Sequence, residues 1–174
     1  MDCAERNPLV LGIDPGLNTT GYGLIEVVRG GPKLIEAGVV RSRAHDALET
    51  KLADIHRGVA ELMTAFHPTV MALEELYSHY ERPTTAILMG HARGVICLAA
   101  AEAGVPICHY AATHVKKMLT GSGRAPKPQV QMAICRQFGL PQVPEPPDVA
   151  DALAIALCHV YFRNVALNNS TRPS

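Results

Sequence analysis

Apolar residues open the chain in three short runs, residues 10–13, 22–28 and 34–40, separated by the turn formers Pro15-Gly16-Leu17-Asn18 and Arg29-Gly30-Gly31-Pro32. Runs of this length between Gly, Pro and Asn clusters predict a three-stranded antiparallel meander. The period then changes. Leu48, Leu52, Ile55, Val59, Leu62 and Phe66 recur at alternating steps of four and three, the spacing of one face of a helix. Asp46 is placed to cap that helix and Pro68 to stop it. Residues 70–73 read as a buried strand, Pro83 opens a helix of small and aliphatic residues that stops at Gly104, and residues 105–109 make a fifth strand. A short helix follows around 113–119. The loop Gly121-Ser-Gly-Arg-Ala-Pro126 has the composition of a flexible contact element, and a helix covers about 128–138. After a proline-rich connection, Asp148 opens a last helix whose apolar stripe is Val149, Leu153, Ala156, Leu157 and Val160.

Three strands, helix, strand, helix, strand, helices is the order of an α/β fold built on a five-stranded mixed sheet. Its first three strands are antiparallel, its first strand is central, and helices cover both faces. A length of 174 residues with 48% apolar content suits one core, placed at residues 8–163 with tails at 1–7 and 164–174. No repeat is present. The longest weakly polar stretch, 86–101, is broken by His91 and Arg93, and no charged start leads into an apolar leader; a soluble, cytoplasmic protein without a membrane partner is expected. Cys3, Cys97, Cys108, Cys135 and Cys158 are odd in number and widely spaced, which predicts reduced structural thiols.

Carboxylates supply the candidate chemistry. Asp14 ends the first strand and Glu74 the fourth, where ligands gather in mixed sheets. Asp148 and Asp151, three apart in the first turn of the last helix, share a face and the positive end of its dipole. Singly, each has a structural explanation: Asp14 as a turn residue, Glu74 as a surface strand end, Asp148 as a cap and Asp151 as a first-turn acid. Together they would repel unless a cation intervened, and oxygen donors favour magnesium or manganese. Gly12, Gly16, Gly21 and Gly23 would let backbone or ligand come close to Asp14. Hydrolysis of a phosphodiester is the matching reaction class.

Formal net charge is zero, with 16 basic and 16 acidic residues, yet the acids are missing from the stretch between Glu102 and Glu145. Lys116, Lys117, Arg124, Lys127 and Arg136 all fall there. Such a segment suits a phosphate backbone.

Four motifs in order, Leu11-Gly-Ile-Asp-Pro-Gly-Leu-Asn-Thr-Thr-Gly-Tyr-Gly23, Leu73-Glu-Glu-Leu-Tyr77, Gly90-His-Ala-Arg-Gly94 and Asp148-Val-Ala-Asp-Ala-Leu-Ala154, resemble the RuvC family of Holliday junction resolvases. The resemblance covers roughly residues 10–159. It implies a ribonuclease H-like fold, a homodimer, magnesium-dependent paired cutting of four-way junction DNA in recombination and repair, and a branch-migration complex, RuvAB, as partner. By the same resemblance Asp14, Glu74, Asp148 and Asp151 are the catalytic acids, which bind two Mg2+ ions. Lys116 and Lys127, with Lys117 and Arg124 nearby, are implied to contact DNA, and Tyr77 to stack at the junction centre. The helix at 83–104 is the expected dimer face. Other classes remain: an ATP-binding fold whose first hairpin also carries an Asp and glycines, a non-catalytic junction binder, or a nuclease acting on RNA. The first needs a longer chain and leaves Asp148 and Asp151 without a role.

Overall fold

The computed structural model describes residues 7–75 and 83–170. Its elements are β1 (Leu9–Asp14), β2 (Thr19–Val28), β3 (Gly31–Arg41), α1 (Leu48–Phe66), β4 (Val70–Glu74), α2 (Pro83–Glu102), β5 (Ile107–Tyr110), α3 (Ala112–Thr120), α4 (Lys127–Phe138) and α5 (Pro147–Ser170). The strands form one sheet in the order β3-β2-β1-β4-β5. β1 is central as expected, antiparallel to β2 and parallel to β4. The hairpin of β2 and β3 is longer than the apolar runs suggest, because backbone pairing continues from Thr19↔Arg41 to Val28↔Gly31.

Strand alternation divides the core. Leu11 and Ile13 of β1 and Met71 and Leu73 of β4 point to one face, where they pack with Ile55 and Val59 of α1 and Ile96 of α2. Val10, Val70 and Ala72 point to the other and pack under α5, α3 and α4. Helix α5 is apolar nearly all round: residues 152–160 are all buried. The single stripe expected for it is therefore too narrow, since α3 and α4 cover the side turned away from the sheet. The Tyr110 hydroxyl and His159 Nδ1 share a buried hydrogen bond of 2.7 Å that ties β5 to α5. The helix continues to Ser170, past the domain end placed at residue 163.

Helix α1 ends as read, with His67 in the left-handed region at φ 50° before Pro68. Its start differs. Ala47, not Asp46, precedes the first turn and no side chain caps it, because Thr50 N and Lys51 N both bond back to the Ala47 carbonyl. Helix α2 is long and apolar enough to cross a membrane by length and composition, yet Ala92, Ile96, Ala99 and Ala100 sit in the core. The four cysteines among the described residues are free thiols.

What seats α5 is missing side chains. A Cβ at Gly12 would stand 2.2 Å from the Ala152 carbonyl and 2.7 Å from Ala156 N, and one at Gly23 would meet Leu153 at 2.5 Å. Gly12 and Gly23 are cross-strand partners, so they form one trough into which the small side of the helix drops. Gly12→Ala should therefore push α5 off the sheet and cost about 1–3 kcal/mol, as overpacking does. Gly30→Ala, in open space, should stay within about 0.5 kcal/mol of wild type. Urea unfolding midpoints check both; equal midpoints for Gly12→Ala and wild type would contradict this packing.

Candidate active site

Alternation carries Asp14 and Glu74 to the α5 side. Each lies two residues beyond a member of that face, Gly12 and Ala72, and the parallel pairing that ends at Ile13↔Leu73 leaves the two acids at the ends of neighbouring strands. Asp14 is the cross-strand partner of Gly21. A Cβ at Gly21 would come within 2.1 Å of the Asp148 carbonyl, so the first turn of α5 rests on the backbone beside Asp14. Asp151 follows three residues on and joins Glu74, Lys116 and Lys127 around a cavity of about 250 Å³, floored by Val115, Val130 and Ile155.

The electrostatics are those of crowded acids. Burial first, then Asp151, Glu74 and Asp148, push the Asp14 carboxyl up to about 8, with Lys127 opposing. Burial and then Asp151 also raise Glu74, against Lys116 and Lys127. Lys127 Nζ donates to Asp151 Oδ2 at 2.6 Å, and that bond is the largest reason its own pKa rises. Among the described residues no three acids, histidines or cysteines are gathered tightly enough to hold an ion as they stand. The donor set nevertheless fits a hard divalent cation: four carboxylates, no soft ligand, and an Asp14 whose pKa is raised by burial and by the three other acids. Lys127 supplies one charge where four acids face each other.

The structure thus brings together the four acids with Lys116 and Lys127. Lys117 and Arg124 are exposed and do not line the cavity. Tyr77 lies outside the described residues. The glycines act differently from the ligand-facing alternative: Gly12, Gly21 and Gly23 admit α5, and Gly16 serves its own turn against the Thr19 carbonyl. The loop at 121–126, expected to be a flexible contact element, carries local hydrogen bonds. Thr120 Oγ1 and Ser122 bond each other, Ser122 Oγ accepts from Arg124 N, and Ala125 is buried.

One positioning residue was not anticipated. Arg93 of α2 donates from Nε to the Glu74 carbonyl at 3.1 Å and from Nη2 to His109 Nδ1 at 2.6 Å. Burial and then Arg93 lower the His109 pKa, so that nitrogen stays an acceptor. The guanidinium therefore braces the end of β4 from which Glu74 projects. Its signal was legible: an arginine inside an otherwise apolar helix, within the Gly90 to Gly94 motif.

Comparison with known proteins agrees with this geometry. The family model described as "Crossover junction endodeoxyribonuclease RuvC" matches residues 10–159. A protein of that name from Rhodopirellula baltica is 60% identical over 157 residues, covering 89% of this chain and 87% of its own. The solved structure of Thermus thermophilus RuvC superposes with a TM-score of 0.83 at 35% identity, over 91% of this chain and 96% of that one. The same enzyme in complex with a Holliday junction substrate gives a TM-score of 0.84 at 34% identity, again over 91% and 96%.

The acid cluster sets a pH dependence for the metal-free protein. Folded Asp14 keeps its proton up to about 8, whereas the unfolded chain releases it in the ordinary carboxylate range. Between those limits the unfolded state binds fewer protons, so stability falls as pH rises. Urea midpoints of EDTA-treated protein should decline from about pH 5 to 8 through this group, and Asp14→Asn should flatten the decline and exceed wild type at the upper end. Added Mg2+ should raise the wild-type midpoint and leave that of the variant nearly unchanged. A wild-type midpoint that climbs across this range without metal would contradict the reading.

Proposed function

The chain belongs to the RuvC family of crossover junction endodeoxyribonucleases, and from that premise we propose that Asp14, Glu74, Asp148 and Asp151 are the catalytic acids with which it cuts four-way DNA junctions. It is an endonuclease of recombination and repair, a hydrolase of phosphodiester bonds. The observation that carries the site assignment is the Asp14 carboxyl, half-buried and faced by the three other acids. Four carboxylates gathered on α5's side of the sheet have no structural use that would offset their repulsion.

Enzymes of this family are metal-dependent, and we assign two Mg2+ ions, replaceable by Mn2+, to these oxygens. Asp14, which feels the charge of all three other acids, would hold them together with Glu74, Asp151 and Asp148. Such ions, when bound, polarise the scissile phosphate and acidify the attacking water. The chain's own groups do the rest. Lys116 and Lys127, on the cavity wall beside Glu74 and Asp151, place positive charge next to the phosphate and offset the charge that builds up on it. Arg93 keeps Glu74 at the cavity mouth. Water adds to phosphorus, the bond to the 3′ oxygen breaks and that oxygen takes a proton, which leaves a 5′ phosphate and a 3′ hydroxyl. We assign Tyr77, Lys117 and Arg124 to wider DNA contact.

A homodimer fits the surface of α2. Ile87, His91, Gly94 and Leu98 follow one another at steps of four, three and four along its exposed side, and Ile87 and Leu98 are 60% and 50% exposed. Two copies packed there would present two sites to two strands of like polarity. We place the protein in the cytoplasm, with a branch-migration complex delivering its junctions.

Incubation with a synthetic four-way junction and Mg2+ should give paired symmetric nicks. Asp14→Asn and Asp151→Asn should each lose more than about a hundredfold in rate, above the range for residues that only support a ligand, with junction affinity kept. Equal cutting by wild type and variants, or of plain duplex as readily as junction, would overturn the assignment. Ile87→Glu with Leu98→Glu should turn the dimer into a monomer in sedimentation; an unchanged dimer would exclude α2 as the interface.

A further inference from the structure

The sheet edge that carries Asp14 and Glu74 continues on the side away from Lys116 and Lys127. There Thr19 of β2 pairs with Arg41, the last residue of β3. Asp14 is level with Gly21 and Val39, so Arg41 stands two strands across from it, roughly 10 Å, and two residues further along, roughly 7 Å. Arg41 and Arg43 are exposed, and neither joins any ion pair among the described residues. With Arg57 they line a groove of about 500 Å³ between β3 and α1. Asp54 and Glu61 also line it; Asp54 is engaged by Arg57 at 2.8 Å, and neither Arg41 nor Arg43 forms an ion pair with either acid.

They are also held in place. Between them, Ser42 donates from Oγ to the Leu17 carbonyl at 2.6 Å and from its backbone N to the Asn18 carbonyl at 3.1 Å. Lys51 of α1 is only 8% exposed, and its Nζ donates to Asn18 Oδ1 at 2.8 Å and to the Ala44 carbonyl at 2.7 Å. The turn that leaves Asp14 and the segment that carries both arginines are thus one hydrogen-bonded body around a buried ammonium. Guanidinium forks suit phosphate oxygens, and the backbone that carries these two is fixed in advance.

We propose that Arg41 and Arg43 form a second backbone-phosphate grip, on the β3 flank of the acids, for the strand being cut. This rests on the DNA-cutting function proposed above. The contact falls on the same strand, a few nucleotides at most from the scissile phosphate. The strand then runs along the sheet edge between cations on both flanks, with the acids in the middle.

Junction affinity measured in EDTA across a salt series tests this with wild type, R41Q/R43Q, R41K/R43K, and R29Q/K33Q at the opposite end of the β2–β3 hairpin. R41Q/R43Q should bind more weakly, and its plot of log affinity against log salt should be shallower by about one to two. Its nicking at limiting junction with Mg2+ should fall in step with the lost affinity. R41K/R43K should recover most of the slope, which separates charge from fold, and R29Q/K33Q should match wild type. Wild-type slope and affinity in R41Q/R43Q, beside a wild type that binds and cuts, would overturn this grip and leave the catalytic assignment standing. A wild type that neither binds nor cuts the junction would overturn both.

Discussion

The close approach of α5 to β1 and β2 is the constraint on which the rest depends. Glycine at 12, 21 and 23 removes the side chains that would keep a helix at normal distance from the sheet, and Ala152 and Ala156 remove them from the helix. Two consequences follow from one contact. The helix becomes the apolar centre of its half of the core, and its first turn lands on Gly21, beside Asp14. A single added methyl group at Gly12 or Gly21 would act on packing and chemistry together. Residues that touch no substrate can therefore control the site.

Once seated, α5 creates an electrostatic problem that its neighbours only partly relieve. Asp14 is opposed by burial and by three like charges. Against this stand Lys127, bonded to Asp151, and Lys116, which lowers Glu74. The metal-free cluster is balanced by protonation and by lysine, and a divalent cation would replace both with a stronger interaction. Stability given up to the crowded acids would be recovered by a bound cation, a common arrangement where charged groups are preorganised. Arg93 and Lys51 serve that preorganisation from the opposite face of the sheet. One braces Glu74 from α2, and the other fixes the turn after Asp14 from α1.

Much of this was legible in the chain because local patterns carried it. Turn residues marked out the meander, the steps of four and three marked α1, and Asp14 and Glu74 stood at strand ends that proved to be neighbours. The rest depends on contacts distant in sequence. Alternation tells which residues share a face but not what covers it, so the glycine trough could be read as a ligand approach when it holds a helix. The burial of α5 on all sides comes from α3 and α4, which a stripe pattern within one helix does not record. Hydrogen bonds decided one finer point: the Ala47 carbonyl starts α1 after Asp46. Lys51 gave no local signal at all, because its partners lie in two other segments.

The view that acids from both ends of the chain make one cation site is tested most directly by anomalous scattering from crystals grown with manganese. Manganese should bind among carboxylates drawn from β1, β4 and α5 together, with Asp14 at the centre of the set. Manganese held by Asp14 alone, or bound elsewhere while Asp148 and Asp151 stay clear of it, would contradict that view.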